Sequence, residues 1–481
     1  MENADESSLK RGGGRVLASF VVMALCFSLN HGTVSACIPL AAGEFGSTLG
    51  SYQLGTLYLF YTMTALTVST AIVNRLGQKG ALVGGLLLYC VYVVSFLIAR
   101  EAPPLRWPVA LFGAVTGGIA AGFLWTAQGG YFTTCATAYA YASGSSTEAA
   151  TSRLSGIFAV IYLGFEVVLK LLSSLIQFGV CGDKWDKDFL TGSCGDDGRK
   201  DSGILTVYIV YTAVAIVSTV GMAFISVVRE DDGGQLRTAL LPRGRANADD
   251  GNGLTGASGD DAGPEQDDLG AEDAAESASE PSTLVDRASE AIRFLATNTK
   301  MQLMVWTNFT FGFLAAFINS YVVADVIPDG QVGYYVAIIP LVATFMSLPL
   351  GYLSEKTGSK VYAMFSGQVA FLAFILAFVV LGASVLGKAY VLAPLFVIYG
   401  LGRAMWEGPN KAVFADFFAA SSGPAFANLI LQNGGASALA FFLYPSLSVA
   451  TKEYLCLVIS AIAIPAYLAA DRIHVSEQSG K

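Results

Sequence analysis

Glu166 and Lys170 stand four residues apart in the otherwise apolar run I-Y-L-G-F-E-V-V-L-K-L-L-S-S. On a helix they share one face with the carboxylate N-terminal, the better order for an ion pair. In an apolar medium such a pair can serve as a cation or proton site, with Glu166 losing its charge when Lys170 is drawn elsewhere. A fixed structural pair, or a Lys170 reaching out to the boundary, meets the same spacing. Arg403 and Glu407 repeat the interval with the cation first. Arg403 is the candidate to meet an anionic solute across from Glu166, whereas Glu407, Asn410, Lys411 and Asp416 are expected at a solvated rim. Trp125, Gln128 and Tyr131 follow one another at steps of three, giving a face with an aromatic wall and hydrogen-bonding tips. That face suits an organic solute or a partly dehydrated ion, or else helix packing.

Further polar candidates are Asn30 and His31, Trp306 and Asn308 with Asn319 beyond them, and Gln432 and Asn433 beside Gly434 and Gly435. His31 could couple a proton near neutral pH, or be satisfied by a neighbouring helix. Asn308-Phe309-Thr310 matches a glycosylation acceptor but lies inside an apolar run, so it is discounted. Gln432 and Asn433 are expected to line a cavity. No phosphate-cradling loop and no serine or cysteine with an activating histidine is recognisable. With two histidines and no C-x-x-C, no metal site, cofactor, nucleic-acid partner or enzyme activity is expected. Transport without nucleotide hydrolysis must be driven by gradients or run downhill.

The elements that must position these groups are membrane helices. The 481 residues are 54% hydrophobic and 14% charged, against about 45–50% and about 25% in soluble domains. Apolar runs fall near 16 to 42, 51 to 73, 80 to 99, 107 to 136, 152 to 180, 203 to 228, 301 to 327, 332 to 352, 361 to 384, 388 to 410, 422 to 448 and 452 to 471. Each is long enough to cross a hydrocarbon core about 30 Å thick. The predicted fold is therefore an all-α integral membrane protein of 12 transmembrane helices in two six-helix bundles. Its parts are an N-terminal tail (1–15), a first bundle (16–228), a linker (229–298), a second bundle (299–471) and a C-terminal tail (472–481).

Residues 230–290 hold 16 acidic and 4 basic residues, so that segment accounts for more than the whole net charge of -9. Rich in Gly, Ala, Ser and Asp, it is expected to be disordered. At its end Leu284, Ala288, Ile292 and Leu295 recur at helical spacing, predicting a short amphipathic helix. Lys10, Arg11 and Arg15 before a retained first helix favour cytosolic termini, although Arg100, Arg106, Lys184, Lys187, Arg199 and Lys200 fall in the opposite loops. Of seven cysteines, five sit in or beside apolar runs; Cys181 and Cys194 share a polar loop. The favoured orientation puts that loop outside the cytosol, where a disulfide can persist.

The chain is also internally duplicated. T-A-I-V-N-R-L-G-Q-K from Thr70 to Lys79 aligns with G-Y-L-S-E-K-T-G-S-K from Gly351 to Lys360, each between two apolar runs. Superposed on Gly77 and Gly358, Asn74 meets Glu355, Arg75 meets Lys356 and Lys79 meets Lys360. The fourth run of each half ends in a glycine-rich stretch with a tryptophan, at Trp125 and Trp406, suited to close helix packing or to a helix break beside a cavity.

The second turn resembles the signature loop of the major facilitator superfamily; the first departs from it at Thr70 and Asn74. L-Y-L-F-Y-T-M-T-A-L-T-V-S-T, G-F-L-W-T-A-Q-G-G-Y-F-T, L-S-S-L-I and A-F-A-N-L-I-L-Q-N-G-G-A-S-A-L-A-F-F-L resemble more narrowly the uncoordinated-93-like family of ion channel regulatory proteins. Leu169 and Lys170 depart from the small, polar pair usual there. The resemblance implies a multi-pass protein of the plasma membrane or endomembranes that moves a small solute or an ion such as potassium. It equally implies an accessory protein, bound to a channel or escorting receptors, that no longer transports. In the superfamily the loop carboxylate latches the bundles in one state, so Asn74 implies a weaker latch in the first half.

Overall fold

Length and hydropathy dictate the architecture before any packing is considered. The structure, a computed structural model, describes residues 2–186, 193–226, 284–328 and 330–479. Among them, 11 helices are long and apolar enough to cross a membrane. The first half consists of α1 (Glu2–Leu66), α2 (Ser69–Glu101), α3 (Arg106–Ser143), α4 (Thr147–Cys181) and α5 (Asp197–Met222). A short helix, α6 (Leu284–Thr297), precedes the second half. That half consists of α7 (Thr299–Phe317), α8 (Val332–Thr357), α9 (Val361–Val380), α10 (Ala389–Met405), α11 (Ser422–Leu443) and α12 (Val449–Ser479).

Eleven helices carry 12 crossings because α1 is two. Its apolar part, Gly12–Leu66, has 55 residues, about 80 Å of helix and far more than one bilayer needs. Gly46 breaks it with φ 79° and ψ 154°, a conformation open essentially to glycine alone. The second arm runs on past Leu66, since Thr67 and Val68 donate to the carbonyls of Met63 and Thr64. It ends at Gly77, where φ is 69° and ψ 162°. Gly358 closes α8 with φ 63° and ψ 14°. Both duplicated turns thus need a glycine at the same register, for two different backbone shapes.

The helices of each half pack mainly on one another; between the halves α1 meets α11, α4 meets α8, and α1 meets the segment after α7. Gly118 and Gly122 let α3 lie directly on the second arm of α1, where a Cβ would press on the backbone of Leu57 and Tyr61 and on Thr64. Most of this glycine-rich stretch therefore serves packing. Its counterpart does both things expected of such a stretch. Gly400 packs on Val342 and Gly402 on Phe371, and α10 then gives way to a π-type turn, Trp406–Asn410, before a last helical piece, Lys411–Phe417. A second π-type segment, Ile318–Val326, continues α7.

Several boundaries differ from expectation. The backbone is helical from Glu2, so residues 2–15 belong to α1, and α12 continues through the predicted tail to Ser479. Contacts made by the second of these extensions explain it: Lys300 pairs with Glu477 at 2.5 Å, and His474 stacks on Phe417. The acidic stretch up to residue 283 lies outside the described residues. At its end α6 forms, but the face it buries runs through Ala291, Phe294 and Leu295, and Ile292 is exposed. Asn428 of α11 donates to the Ala291 carbonyl, fastening α6 to the second half.

Candidate functional site

A cavity of about 750 Å³ lies between the halves. Glu166 reaches it from α4 and Arg403 from α10, and they meet as a two-pronged pair: Nη1 to Oε1 and Nη2 to Oε2, both 2.9 Å. Lys170 Nζ donates to the same Oε1 at 2.7 Å. Further along, Arg403 Nε lies 3.7 Å from Glu407 Oε1, and Lys411 Nζ lies 2.8 Å from Glu407 Oε2. The five side chains form one line of alternating charge, Lys170, Glu166, Arg403, Glu407, Lys411, crossing from one half to the other. Among the described residues, Glu166 to Arg403 is the ion pair that joins the halves.

The local sequence explains the alignment. Residues 403, 407 and 411 recur at steps of four, which on a regular helix of 3.6 residues per turn drift off one face. The π-type turn at Trp406–Asn410 widens the helix there, which reduces the drift; Pro409 sits inside it. Such turns often occur where a helix carries function. Side-chain exposure along the line rises from 2% at Glu166 through 15% at Arg403 and 33% at Glu407 to 43% at Lys411. The cavity therefore opens beside Lys411, on the same short helix as Asp416, which pairs with Lys360 of the second duplicated turn.

At the other end the halves are shut. Ser174 of α4 accepts from the backbone N–H of Tyr334 at 3.1 Å. Gly333 lies so close to α4 that a Cβ would run into the Lys170 carbonyl and the Ser173 hydroxyl. Just beyond, Cys181 and Cys194 form a disulfide, Sγ–Sγ 2.04 Å, with Trp185 against Gly330.

Aromatic rings make the walls. His31 packs against Trp125 and Tyr162, with ring centroids 5.2 and 5.5 Å apart. On the facing wall Trp406 stacks on Phe311 at 4.1 Å, with Lys411 Nζ 5.3 Å above the Trp406 ring. Asn433 also lines the cavity, as does Asn319.

Other expected cavity residues lie elsewhere. Asn30 is fully buried inside the first half, donating to the Ala215 carbonyl and to Thr219 Oγ1. Tyr131 bonds to Ser19 and the Ser226 carbonyl, tying α1, α3 and the end of α5 together. Gln128 is buried away from the cavity, so of the triplet on α3 only Trp125 reaches it. Trp306 packs against the core of the second half. Asn308 is wholly buried, which fits the discounted acceptor motif. It donates to Gln432 Oε1 at 2.7 Å and accepts from Trp406 Nε1 and Asn410 Nδ2 at 3.0 Å each. Asn308, Gln432 and Asn410 thus lie behind the cavity wall and hold Trp406 in it. Asn410 is not at a rim, and Glu407 is part of the line rather than beyond it. For Asn30, Tyr131, Asn308, Gln432 and Asn410 the reason is common: an amide or hydroxyl in an apolar surround is driven to whichever partner satisfies it.

Tyr58, Tyr61, Tyr162 and Tyr399 also line the cavity and went unnoticed in the sequence. Tyr58 and Tyr61 are three apart in L-Y-L-F-Y, the one signal that could have found them. At the duplicated turns, Asn74, Arg75, Glu355 and Lys356 are exposed. Neither Arg75 nor Glu355 has an ion-pair partner among the described residues.

The family described as ion channel regulatory protein UNC-93 matches residues 43–322, more than half of the chain. Protein unc-93 homolog A of Mus musculus is 23% identical over 456 residues, 90% of this chain and 88% of that protein. The putative potassium channel regulatory protein unc-93 of Caenorhabditis elegans is 32% identical over 128 residues, 27% of this chain and 17% of that protein. Among solved structures, a partially occluded, inward-open form of the xylose transporter XylE from E. coli superposes with a TM-score of 0.60 at 10% identity, covering 95% of this chain and 97% of the other. At that identity the likeness concerns the major facilitator fold alone.

Proposed function

The chain belongs to the UNC-93 family, and we propose that it moves a small solute across a membrane by alternating access, one six-helix bundle rocking against the other. The observation that carries this reading is the cavity itself: open beside Lys411, closed at Gly333, and spanned at its middle by a buried ion pair between the bundles. A pair of that kind is a two-state element, since rocking must break or re-form it. In this proposal both termini, the two duplicated turns and the acidic linker are cytosolic, so the structure corresponds to an inward-facing state. Asn74, Arg75, Gly77 and Lys79 with Gly351, Glu355, Lys356, Gly358 and Lys360 then act as gating loops that meet when the cytosolic end closes.

The family's description and the C. elegans relative favour a second reading, an accessory protein that regulates a potassium channel. Purified protein in liposomes separates the two. Flux of potassium, protons and small organic ions is compared for wild type, Glu166→Gln and Lys170→Met. A transporter should lose at least about tenfold in rate in Glu166→Gln, which leaves Arg403 and Lys170 without the carboxylate they share, worth more than about 1.4 kcal/mol, and lose less in Lys170→Met, where Glu166 keeps both bonds to Arg403. If no solute moves in the wild type, the accessory reading replaces this one.

A further inference from the structure

We infer that the solute is an organic anion carrying an aromatic or similarly flat apolar body, a deepening that rests on the transport reading above. The charged groups lining the cavity are three cations, Lys170, Arg403 and Lys411, against two carboxylates, Glu166 and Glu407. With His31 neutral the cavity carries a net charge of +1, and protonation of His31 would raise it further.

Three of the four carboxylate oxygens also accept hydrogen bonds from these cations. Glu166 offers Oε1 to Lys170 and both oxygens to Arg403; Glu407 faces Arg403 through one oxygen and Lys411 through the other. A metal cation stripped of water needs a shell of free oxygens in exchange, and here one anionic oxygen, Oε1 of Glu407, is left without a hydrogen bond among the described residues. It would also add positive charge to a cavity that already carries a net positive charge. An anion meets the opposite situation. Lys411 has three N–H donors and one carboxylate partner, and stands at the open end above Trp406. A flat ring entering behind that contact lies between the Trp406 and Phe311 wall and the Trp125 and Tyr162 wall, where stacking is favourable.

The position of Arg403 adds a consequence for coupling. An anion that reaches its guanidinium competes with Glu166, whose bond to Arg403 ties the bundles together. Occupancy therefore loosens the inter-bundle pair and makes rocking easier with solute bound than without it.

The test uses three single-ring aromatic probes of fixed charge, one anionic, one cationic and one neutral: p-toluenesulfonate, phenyltrimethylammonium and benzyl alcohol. Binding is measured by calorimetry on the full chain in lipid nanodiscs, and uptake in proteoliposomes. The sulfonate should bind about tenfold more tightly than the other two, about 1.4 kcal/mol. Lys411→Glu turns the cavity from +1 to -1 and should invert the order of sulfonate and ammonium. Glu407→Gln makes it +2 and should tighten the sulfonate, which provides a second readout if the first variant does not fold. Preference for phenyltrimethylammonium in the wild type, or an order unmoved by both variants, overturns the anion assignment and leaves transport standing. Sulfonate binding without uptake supports the site and overturns transport. No binding of any probe overturns the assignment.

Discussion

The two ends of the cavity are held by different forces. At the disulfide end the bundles touch backbone to side chain, Tyr334 N–H on Ser174 and Gly333 against Lys170 and Ser173, with no charge involved. At the other end the duplicated turns carry exposed cations and a carboxylate, and the ion pair Lys360 to Asp416 stays within one bundle. Close packing acts over a few tenths of an ångström and is lost once a gap opens. Charges act across a Debye length of about 8–10 Å and are screened by salt. One end is thus built to be shut or open with little between, and the other to be biased. Between them, on the wall of the cavity, lies the Glu166 to Arg403 pair that joins the bundles.

The largest effect is therefore expected at that pair. Glu166→Gln leaves Arg403 and Lys170 buried without their carboxylate, costing about 3–5 kcal/mol. Thermal unfolding in detergent should show a marked drop in midpoint for this variant, and a smaller one for the double variant Glu166→Gln with Arg403→Leu, in which Lys170 alone is left without its carboxylate. Equal losses in the two would mean that the three groups are not coupled.

Next comes the packed end. Gly333→Val forces a side chain into the Lys170 carbonyl and the Ser173 hydroxyl, a clash worth about 1–3 kcal/mol. The protein can escape it by separating α4 from α8, so the variant should widen the disulfide end and narrow the other. Spin labels on exposed sites at both ends report this by pulsed electron resonance. A lowered stability with unchanged distances would show that Gly333 only fills space and does not hold a gate.

How much of this was legible in the sequence follows the same division. The fold was, because hydropathy runs and the repeated turns at Gly77 and Gly358 are one-dimensional signals, and the structure adds chiefly that the first two crossings are one helix broken at Gly46. The approach of Glu166 to Lys170 was readable for the same reason, being set by helix period alone. Arg403 could be named as facing Glu166 but not as bound to it, since that depends on how two bundles sit together. Asn308, Gln432, Asn30 and Tyr131 were misplaced because a polar residue in an apolar run signals a partner without saying whether it lies in the cavity or in the core. The tyrosines of the cavity were missed because in a chain with 21 of them their type carries little information.

The smallest effect, and the one that probes the biased end, is expected from Asn74→Asp. The two turns differ there in kind: Glu355 carries a charge and its counterpart Asn74 does not, and both are exposed. Asn74 is exposed, so stability should be nearly unchanged. What changes is the far-field balance, since the first turn gains a negative charge facing a second turn with Lys356 and Lys360. An exposed pair of this sort is worth about 0.2–1 kcal/mol, enough to shift a balanced two-state equilibrium by a factor of about 1.4–5. The shift should favour the state in which the turns meet, the reverse end from the one shut here. It should also fade as salt is raised from about 0.05 to about 1 M, where the screening length falls to about 3 Å. Labels placed on the two turns read both quantities. A shift that survives high salt would assign the effect to a specific hydrogen bond rather than to charge, and no shift at low salt would remove Asn74 from the gate.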